Sequence, residues 1–138
     1  MTVAFEISEV FPATPQAIYQ AWLDSEGHTL MTASPAQASD GVGGSFSAWD
    51  GYICGRNLEL EPGRRIVQAW RTTEFQPSDP DSRLEIILEP DGKGTRVTIR
   101  HANLPADGMQ YKQGWVESYF EPMLAYFQGQ AGSESPRA

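Results

Sequence analysis

Two histidines and one cysteine are the side chains of this chain best suited to chemistry near neutral pH. His101 closes a run of alternating charged and apolar residues, and this alternation turns its imidazole toward the apolar face. An inward imidazole can bind a polar group of a ligand or act as an acid–base catalyst. A structural imidazole, hydrogen-bonded at a cavity rim, is the simpler alternative. We expect His28 to be solvated on a short helix and Cys54 to be a packed thiol in a strand.

The carboxylates do not form a recognisable catalytic arrangement. Glu85 and Glu89 are expected to face arginines across a hairpin, and Asp50 falls in a turn. The glycine-rich DGVGG precedes a strand and is not followed by Gly-Lys-Ser or Gly-Lys-Thr, so it does not predict a phosphate-binding loop. One cysteine and two histidines do not suffice for a structural zinc site. We therefore assign no catalytic residue, no metal and no cofactor.

The charge balance narrows the class of partner. The 138 residues carry a formal net charge of −8, which argues against nucleic acid and against anionic membrane surfaces. No long apolar run or signal-like start is visible, so we expect a cytoplasmic protein. A basic protein partner or an uncharged small molecule remains compatible with this composition.

The elements that must position these residues follow from periodicity and turn chemistry. Residues 2–11 predict a first strand, Thr14 and Pro15 begin a helix, and Asp24 caps a second helix that reaches about Met31. A loop over 34–44 follows. Five strands are then predicted at 45–49, 52–60, 64–73, 83–89 and 95–102, with the Asp50-Gly51 pair turning the first hairpin.

The hairpin over 83–102 has a register that separates its two faces. It sets Glu89 opposite Arg96 and Glu85 opposite Arg100, while Leu84 lies opposite His101 on the apolar face. In the preceding hairpin, a three-residue loop pairs Leu60 with Ile66, Leu58 with Gln68 and Arg56 with Trp70. The alternative register, shifted by one residue, would place leucines and arginines on the same face, so we prefer the first. The preferred register turns Arg56, Gln68 and Trp70 inward.

A long helix over 109–128 ends the predicted fold. Its apolar arc exceeds half of the circumference, so a curved sheet must grip it, and Pro122 should kink it. We predict one α+β domain over 1–128, with an antiparallel sheet wrapped around this helix and the two short helices closing one end. The polar residues 129–138 are expected to form a flexible tail.

Three segments carry a resemblance to a known family. The run GGSFSAWDGYICGRNLELEPGRRIVQAWR at 43–71, QGWVESYFEPML at 113–124 and IYQAWLD at 18–24 resemble the C-terminal domain of the heat-shock-protein-90 ATPase activator. That domain belongs to the helix-grip, START-like (SRPBCC) superfamily. The resemblance covers nearly the whole chain and corresponds to one of the activator's two domains. It implies a helix-grip fold, in which many members bind apolar ligands, some are cyclases or hydrolases, and the activator stimulates a chaperone ATPase.

Three functions follow as expectations. The first is binding of a hydrophobic or amphipathic small molecule between the sheet and the C-terminal helix. The alternative is a protein-interaction module in the stress response that modulates a chaperone ATPase, and the third is a cavity-based cyclase or hydrolase using His101. Exposed edge strands also permit a homodimer. The expected ligand-binding residues share an inward orientation, and they are Arg56, Gln68, Trp70, His101, Trp115, Tyr119 and Met123. The aromatic members and Met123 fill the core in the simpler alternative.

Overall fold

The computed structural model describes residues 2–133, with side chains through residue 129. One strand and two helices precede the main sheet: β1 (Val3–Phe11), α1 (Pro15–Leu23) and α2 (Ser25–Thr32). The sheet continues with β2 (Ser45–Ala48), β3 (Ile53–Glu61), β4 (Arg65–Thr72), β5 (Ser82–Asp91) and β6 (Gly94–Leu104). The C-terminal segment consists of α3 (Gln110–Trp115), a π-helical turn (Val116–Phe120) and α4 (Glu121–Ser133). This order confirms the predicted α+β architecture.

The six strands form one antiparallel sheet in the order β1-β6-β5-β4-β3-β2. β1 pairs with β6 and not with β2, the next strand in the sequence, so β1 and β2 form the two edges of the sheet. The inward face packs against the C-terminal helices, for example where Phe11 meets Phe120 edge-on at 5.7 Å between ring centroids. Within residues 2–133, no helix combines the length and the hydropathy needed to cross a membrane.

Capping residues begin both short helices as predicted. The Thr14 hydroxyl accepts a hydrogen bond from the Ala17 amide, and Pro15 occupies the first helical position. The Asp24 carboxylate accepts from the Gly27 amide at the start of α2. Local side-chain chemistry therefore accounts for both helix starts.

The β5–β6 hairpin has the predicted register over its whole length, with Glu85 opposite Arg100 and Glu89 opposite Arg96. The ion pairs on this outer face involve additional strands. Glu85 binds Arg65 of β4 at 2.6 Å and lies 3.9 Å from Arg100. The guanidinium of Arg100 instead binds Glu6 of β1 at 2.8 Å.

The β3–β4 hairpin keeps the predicted register only near its turn. Leu60 pairs with Ile66, but a β-bulge between Asn57 and Glu59 shifts the pairing by one residue, so that Arg56 faces Ala69. Arg56 is therefore exposed, and its expected inward orientation is wrong. Asn57 is buried in its place and accepts a hydrogen bond from the Gln68 amide at 2.9 Å.

The disruption predicted at Pro122 takes the form of a π-helical turn just before it. The Glu121 amide bonds to the Val116 carbonyl, five residues earlier. Proline cannot donate to the carbonyl four residues before it, so the helix widens there. α4 ends at Ser133, five residues beyond the predicted end, and residues 134–138 of the predicted tail lie outside the described residues.

Candidate functional site: an aromatic cleft

The candidate site is a cleft of about 360 Å³ between the β2–β3 loop, the inward ends of β3 and β4, and the start of the C-terminal helical segment. Six of its nine lining residues are aromatic: Trp49, Tyr52, Trp70, Tyr111, Trp115 and Tyr119. The other three are Ile53, Gly114 and Ser118. We call this feature the aromatic cleft.

The β2–β3 loop places two of the lining rings. Asp50 and Gly51 both have positive φ, as the predicted Asp-Gly hairpin turn requires. Trp49 also adopts a left-handed backbone, with φ of 53°. In a continued strand the Trp49 side chain would point outward, on the same face as the side chains of Ser45 and Ser47. The left-handed conformation takes it out of that alternation, and the ring lines the cleft instead.

His101 supports the cleft wall from behind. The Trp115 indole N–H donates to His101 Nδ1 at 3.0 Å, so this nitrogen is an acceptor. His101 Nε2 therefore carries the proton and donates to the Ser82 hydroxyl at 2.9 Å, which in turn donates to the Trp70 carbonyl at 2.7 Å. Burial lowers the pKa of His101 to about 3, so the ring is neutral at physiological pH. It holds Trp115 in position and does not itself line the cleft.

His28 supports the neighbouring ring in the same way. Its Nδ1 lies 2.9 Å from the Trp22 carbonyl and must donate to it, so Nε2 accepts from the Tyr119 hydroxyl at 2.7 Å. The solvated environment expected for His28 is wrong, because α2 packs it against Trp22 and Tyr119. Burial lowers the pKa of His28 and raises the pKa of Tyr119, which keeps both groups neutral.

Polar groups collect at one side of the cleft. The hydroxyls of Tyr111 and Thr72 lie 2.6 Å apart, and the Tyr52 hydroxyl donates to the Glu74 carboxylate. Burial raises the pKa of Tyr52, and the hydrogen bond to Glu74 raises it further. Within the described residues, the buried indole nitrogen of Trp49 has no hydrogen-bond partner.

The expected ligand-binding residues divide into two groups. Trp70, Trp115 and Tyr119 line the cleft. Gln68, His101 and Met123 are fully buried in the core and do not reach it, while Arg56 faces solvent on the other side of the bulge. Arg56, Gln68 and His101 therefore do not supply the polar contacts in the cleft that were expected of them.

Sequence reasoning missed the lining residues Trp49, Tyr52 and Tyr111 as site residues. The first two flank the Asp-Gly turn, and two large aromatic rings on either side of a hairpin turn were the available signal. In the part of the chain that the structure describes, no three metal-binding side chains converge on one point. Cys54, expected to be packed, is exposed on β3.

The fold and the cleft together define a helix-grip domain, in which a curved antiparallel sheet closes around a C-terminal helix and leaves an aromatic opening at one end. Residues 12–128 match the model of a specific family, described as "Activator of Hsp90 ATPase homolog 1-like protein". The chain belongs to this family, AHSA1.

Relatives and solved structures agree with this assignment. The chain is 30% identical over 122 residues to an activator of 90 kDa heat shock protein ATPase homolog from Dictyostelium discoideum, covering 87% of this chain and 32% of that protein. It is 26% identical to homolog 1 from Homo sapiens, covering 91% of this chain and 37% of that protein. The chain thus spans about a third of the length of these curated relatives.

The structural neighbours are matched over a larger share of their own length. An HSP90 activator from Plasmodium falciparum superposes with a TM-score of 0.77 at 26% identity, covering 86% of this chain and 91% of the other. The Aha1 dimer from Colwellia psychrerythraea has a TM-score of 0.76 at 17% identity, covering 91% and 96% respectively, and shows the shared fold.

Proposed function

We propose that this protein binds an apolar small molecule in the aromatic cleft. The observation that carries the proposal is an open space of about 360 Å³ whose walls are mainly Trp and Tyr rings. Ligand sites in proteins are typically apolar clefts of roughly 300–1,000 Å³ with a few placed polar groups. The hydroxyls of Tyr52 and Tyr111 would supply such groups here.

Two rings of the cleft wall, Trp115 and Tyr119, are held in place from behind, which favours binding over non-specific packing. Trp22 of α1 stacks on both Trp115 and Tyr119, with centroid distances of 6.2 Å and 5.2 Å. The two buried histidines fix the polar ends of the same two rings. A ligand would therefore meet a preformed surface and would not have to order it, which lowers the entropic cost of binding.

Gly114 offers a direct test, because it lines the cleft and a Cβ built there meets nothing within 4 Å. A leucine at this helical position should occupy the cleft without straining the helix, since leucine has a better helix propensity than glycine. We expect an uncharged fluorescent apolar dye such as N-phenyl-1-naphthylamine to bind the wild type and to lose at least about tenfold in affinity in Gly114→Leu.

Gly129→Leu is the matched control. Gly129 is exposed on α4, lies outside the cleft and also has open space at its Cβ. The Gly129→Leu variant should bind the dye with the affinity of the wild type. Equal dye affinity in Gly114→Leu and the wild type, with both proteins folded by circular dichroism, would refute the proposal.

A second candidate function is modulation of a 90 kDa heat-shock ATPase, and membership in the AHSA1 family favours it. The net charge of −8 would then meet a basic surface of the chaperone, and binding should weaken as salt increases. The test is the ATPase rate of a purified bacterial homologue of that chaperone, with and without this protein, at low and at high salt. An unchanged rate together with no detectable complex at low salt would rule this candidate out.

A further inference from the structure

The composition of the cleft wall points to the charge of its ligand. All six aromatic lining residues are Trp or Tyr, whose ring faces are rich in electron density, and none is Phe. Within residues 2–133, no side chain that lines the cleft carries a formal charge. Trp is the strongest partner for a cation placed over a ring face, and Tyr also binds cations in this way. This set is typical of sites that hold an organic cation.

The rings face several directions around the cleft. Trp70 and Tyr111 are inclined by 80° with their centroids 5.1 Å apart, and Trp115 and Tyr119 are inclined by 49° at 4.6 Å. Rings that share an orientation would form one flat wall, which suits a flat neutral ligand. Rings that are inclined to one another border the cleft from more than one direction, which suits a rounded cationic group.

The charges at the rim of the cleft are acidic. Glu74 accepts the hydrogen bond of the lining residue Tyr52. Burial raises the pKa of Tyr111, and the negative charges of Glu74 and Asp107 act on it in the same direction. Both carboxylates are exposed, and neither lines the cleft itself.

The nearby basic side chains do not offset this field within the cleft. The Arg71 guanidinium is bound to the Asp81 carboxylate at 2.8 Å and lies over the ring of Phe75 at 5.3 Å. Lys112, beside Tyr111 on α3, is exposed and does not line the cleft. The net charge of the chain, −8, adds a weak attraction for cations over the whole surface.

From these features we infer that the aromatic cleft binds an apolar organic cation, such as a tertiary or quaternary alkylammonium that carries an apolar substituent. This inference rests on the proposed ligand-binding function and specifies its ligand class. The cationic group would contact the ring faces near Tyr52, whose hydroxyl donates to the Glu74 carboxylate. The apolar substituent would fill the remaining volume.

Three probes of similar shape separate charge from hydrophobicity: benzyltrimethylammonium, its uncharged carbon isostere neopentylbenzene, and the anion phenylmethanesulfonate. Each is titrated into the protein at low ionic strength while Trp fluorescence is followed. An ordinary apolar cleft prefers the neutral isostere, because the cation loses hydration on binding. We expect the cation to bind about 5- to 30-fold more tightly than the isostere, and the anion to bind most weakly.

Two variants test the source of that preference. Glu74→Gln removes an exposed carboxylate, and it should reduce the preference for the cation about two- to fivefold while leaving the affinity for the isostere unchanged. Glu89→Gln, at an exposed position of β5 away from the cleft, is the matched control and should not change the preference.

The outcomes separate the two proposals. If the isostere binds as tightly as the cation or more tightly, and Gly114→Leu abolishes its binding, the ligand is not selected by positive charge and this inference is overturned while the proposed function stands. If no probe binds in a manner that Gly114→Leu affects, the proposed function fails and this inference fails with it.

Discussion

Acidification should destabilise this protein through His101. Above about pH 6.5 the imidazole is neutral in the folded and the unfolded chain, so it contributes no pH dependence. Below that pH the unfolded chain takes up a proton, whereas burial lowers the folded-state pKa to about 3 and keeps the folded ring neutral. Because the unfolded state binds more protons, the free energy of unfolding falls as the pH falls from about 6.5 toward 3.

The size of the effect follows from the two pKa values. With a pKa of about 6.5 in the unfolded chain and about 3 in the folded chain, His101 lowers the free energy of unfolding at pH 5 by about 2 kcal/mol. His28 acts in the same direction, because burial also lowers its pKa. The structural cause is specific. Protonation would convert His101 Nδ1 from an acceptor into a donor, and this donor would then face the indole N–H of Trp115.

The assay is urea unfolding followed by Trp fluorescence at about pH 7.5, 6.5, 5.5 and 5, a range in which model carboxylates stay mostly ionised. His101→Gln can keep an acceptor toward Trp115 and a donor toward Ser82 without titrating. We expect the drop in stability between pH 7.5 and pH 5 to be about 2 kcal/mol smaller in this variant than in the wild type.

Ile99→Val is the matched control, since Ile99 is fully buried on the same strand and carries no titratable group. It should lower stability by about 1 kcal/mol at every pH and keep the pH dependence of the wild type. The reasoning is refuted if His101→Gln and the wild type lose the same stability on acidification.

Three further predictions concern stability. Tyr119→Phe should lower the free energy of unfolding by about 1–2 kcal/mol in urea titrations, because it leaves the Nε2 acceptor of His28 buried without its donor. Gly55→Ala should cost more than about 3 kcal/mol or prevent folding, seen as loss of a cooperative thermal transition, since a Cβ would overlap the Ala69 carbonyl oxygen. Arg65→Met should cost about 1 kcal/mol at low salt and less at high salt, because it removes ion pairs to three glutamates.

Each of these has an outcome that would contradict it. Gly41→Ala is the control for the second, because its Cβ meets nothing within 4 Å and its cost should stay within about 0.5 kcal/mol. Equal losses at Gly41 and Gly55 would contradict the steric argument. A salt-independent loss in Arg65→Met would indicate lost packing of its alkyl chain, and wild-type stability in Tyr119→Phe would show that His28 needs no donor.

Local patterns predicted much of the sheet. The β5–β6 hairpin could be assigned residue by residue because its turn is short and its charges alternate with apolar residues on both strands. The predicted register of the β3–β4 hairpin is wrong beyond Leu60, because a bulge adds one residue to β3. The bulge could not be recognised from the sequence, since Asn57 already interrupts the alternation of polar and apolar residues there. The reversed orientation of Arg56 follows from that one residue.

The candidate site was predicted in part for a different reason. Trp115 and Tyr119 were assigned inward from helical periodicity, and Trp70 was assigned inward from the strand pattern. Trp49 was missed as a lining residue, because a strand pattern contains no sign of a left-handed residue. His28 was expected in solvent, because a short helix does not reveal which side a distant tyrosine will cover.

The sequence by itself determined the class of fold, the helix caps, the Asp-Gly turn and the inward face of the sheet, because these depend on neighbours a few residues apart. The tertiary structure alone decided which inward side chains meet packed atoms and which meet open space. Gln68 and Trp70 share one face of β4, yet Gln68 lies in the core beside Asn57 and Trp70 borders the aromatic cleft. That difference depends on what α1 and the C-terminal helices place opposite each residue, which is a property of contacts between distant segments.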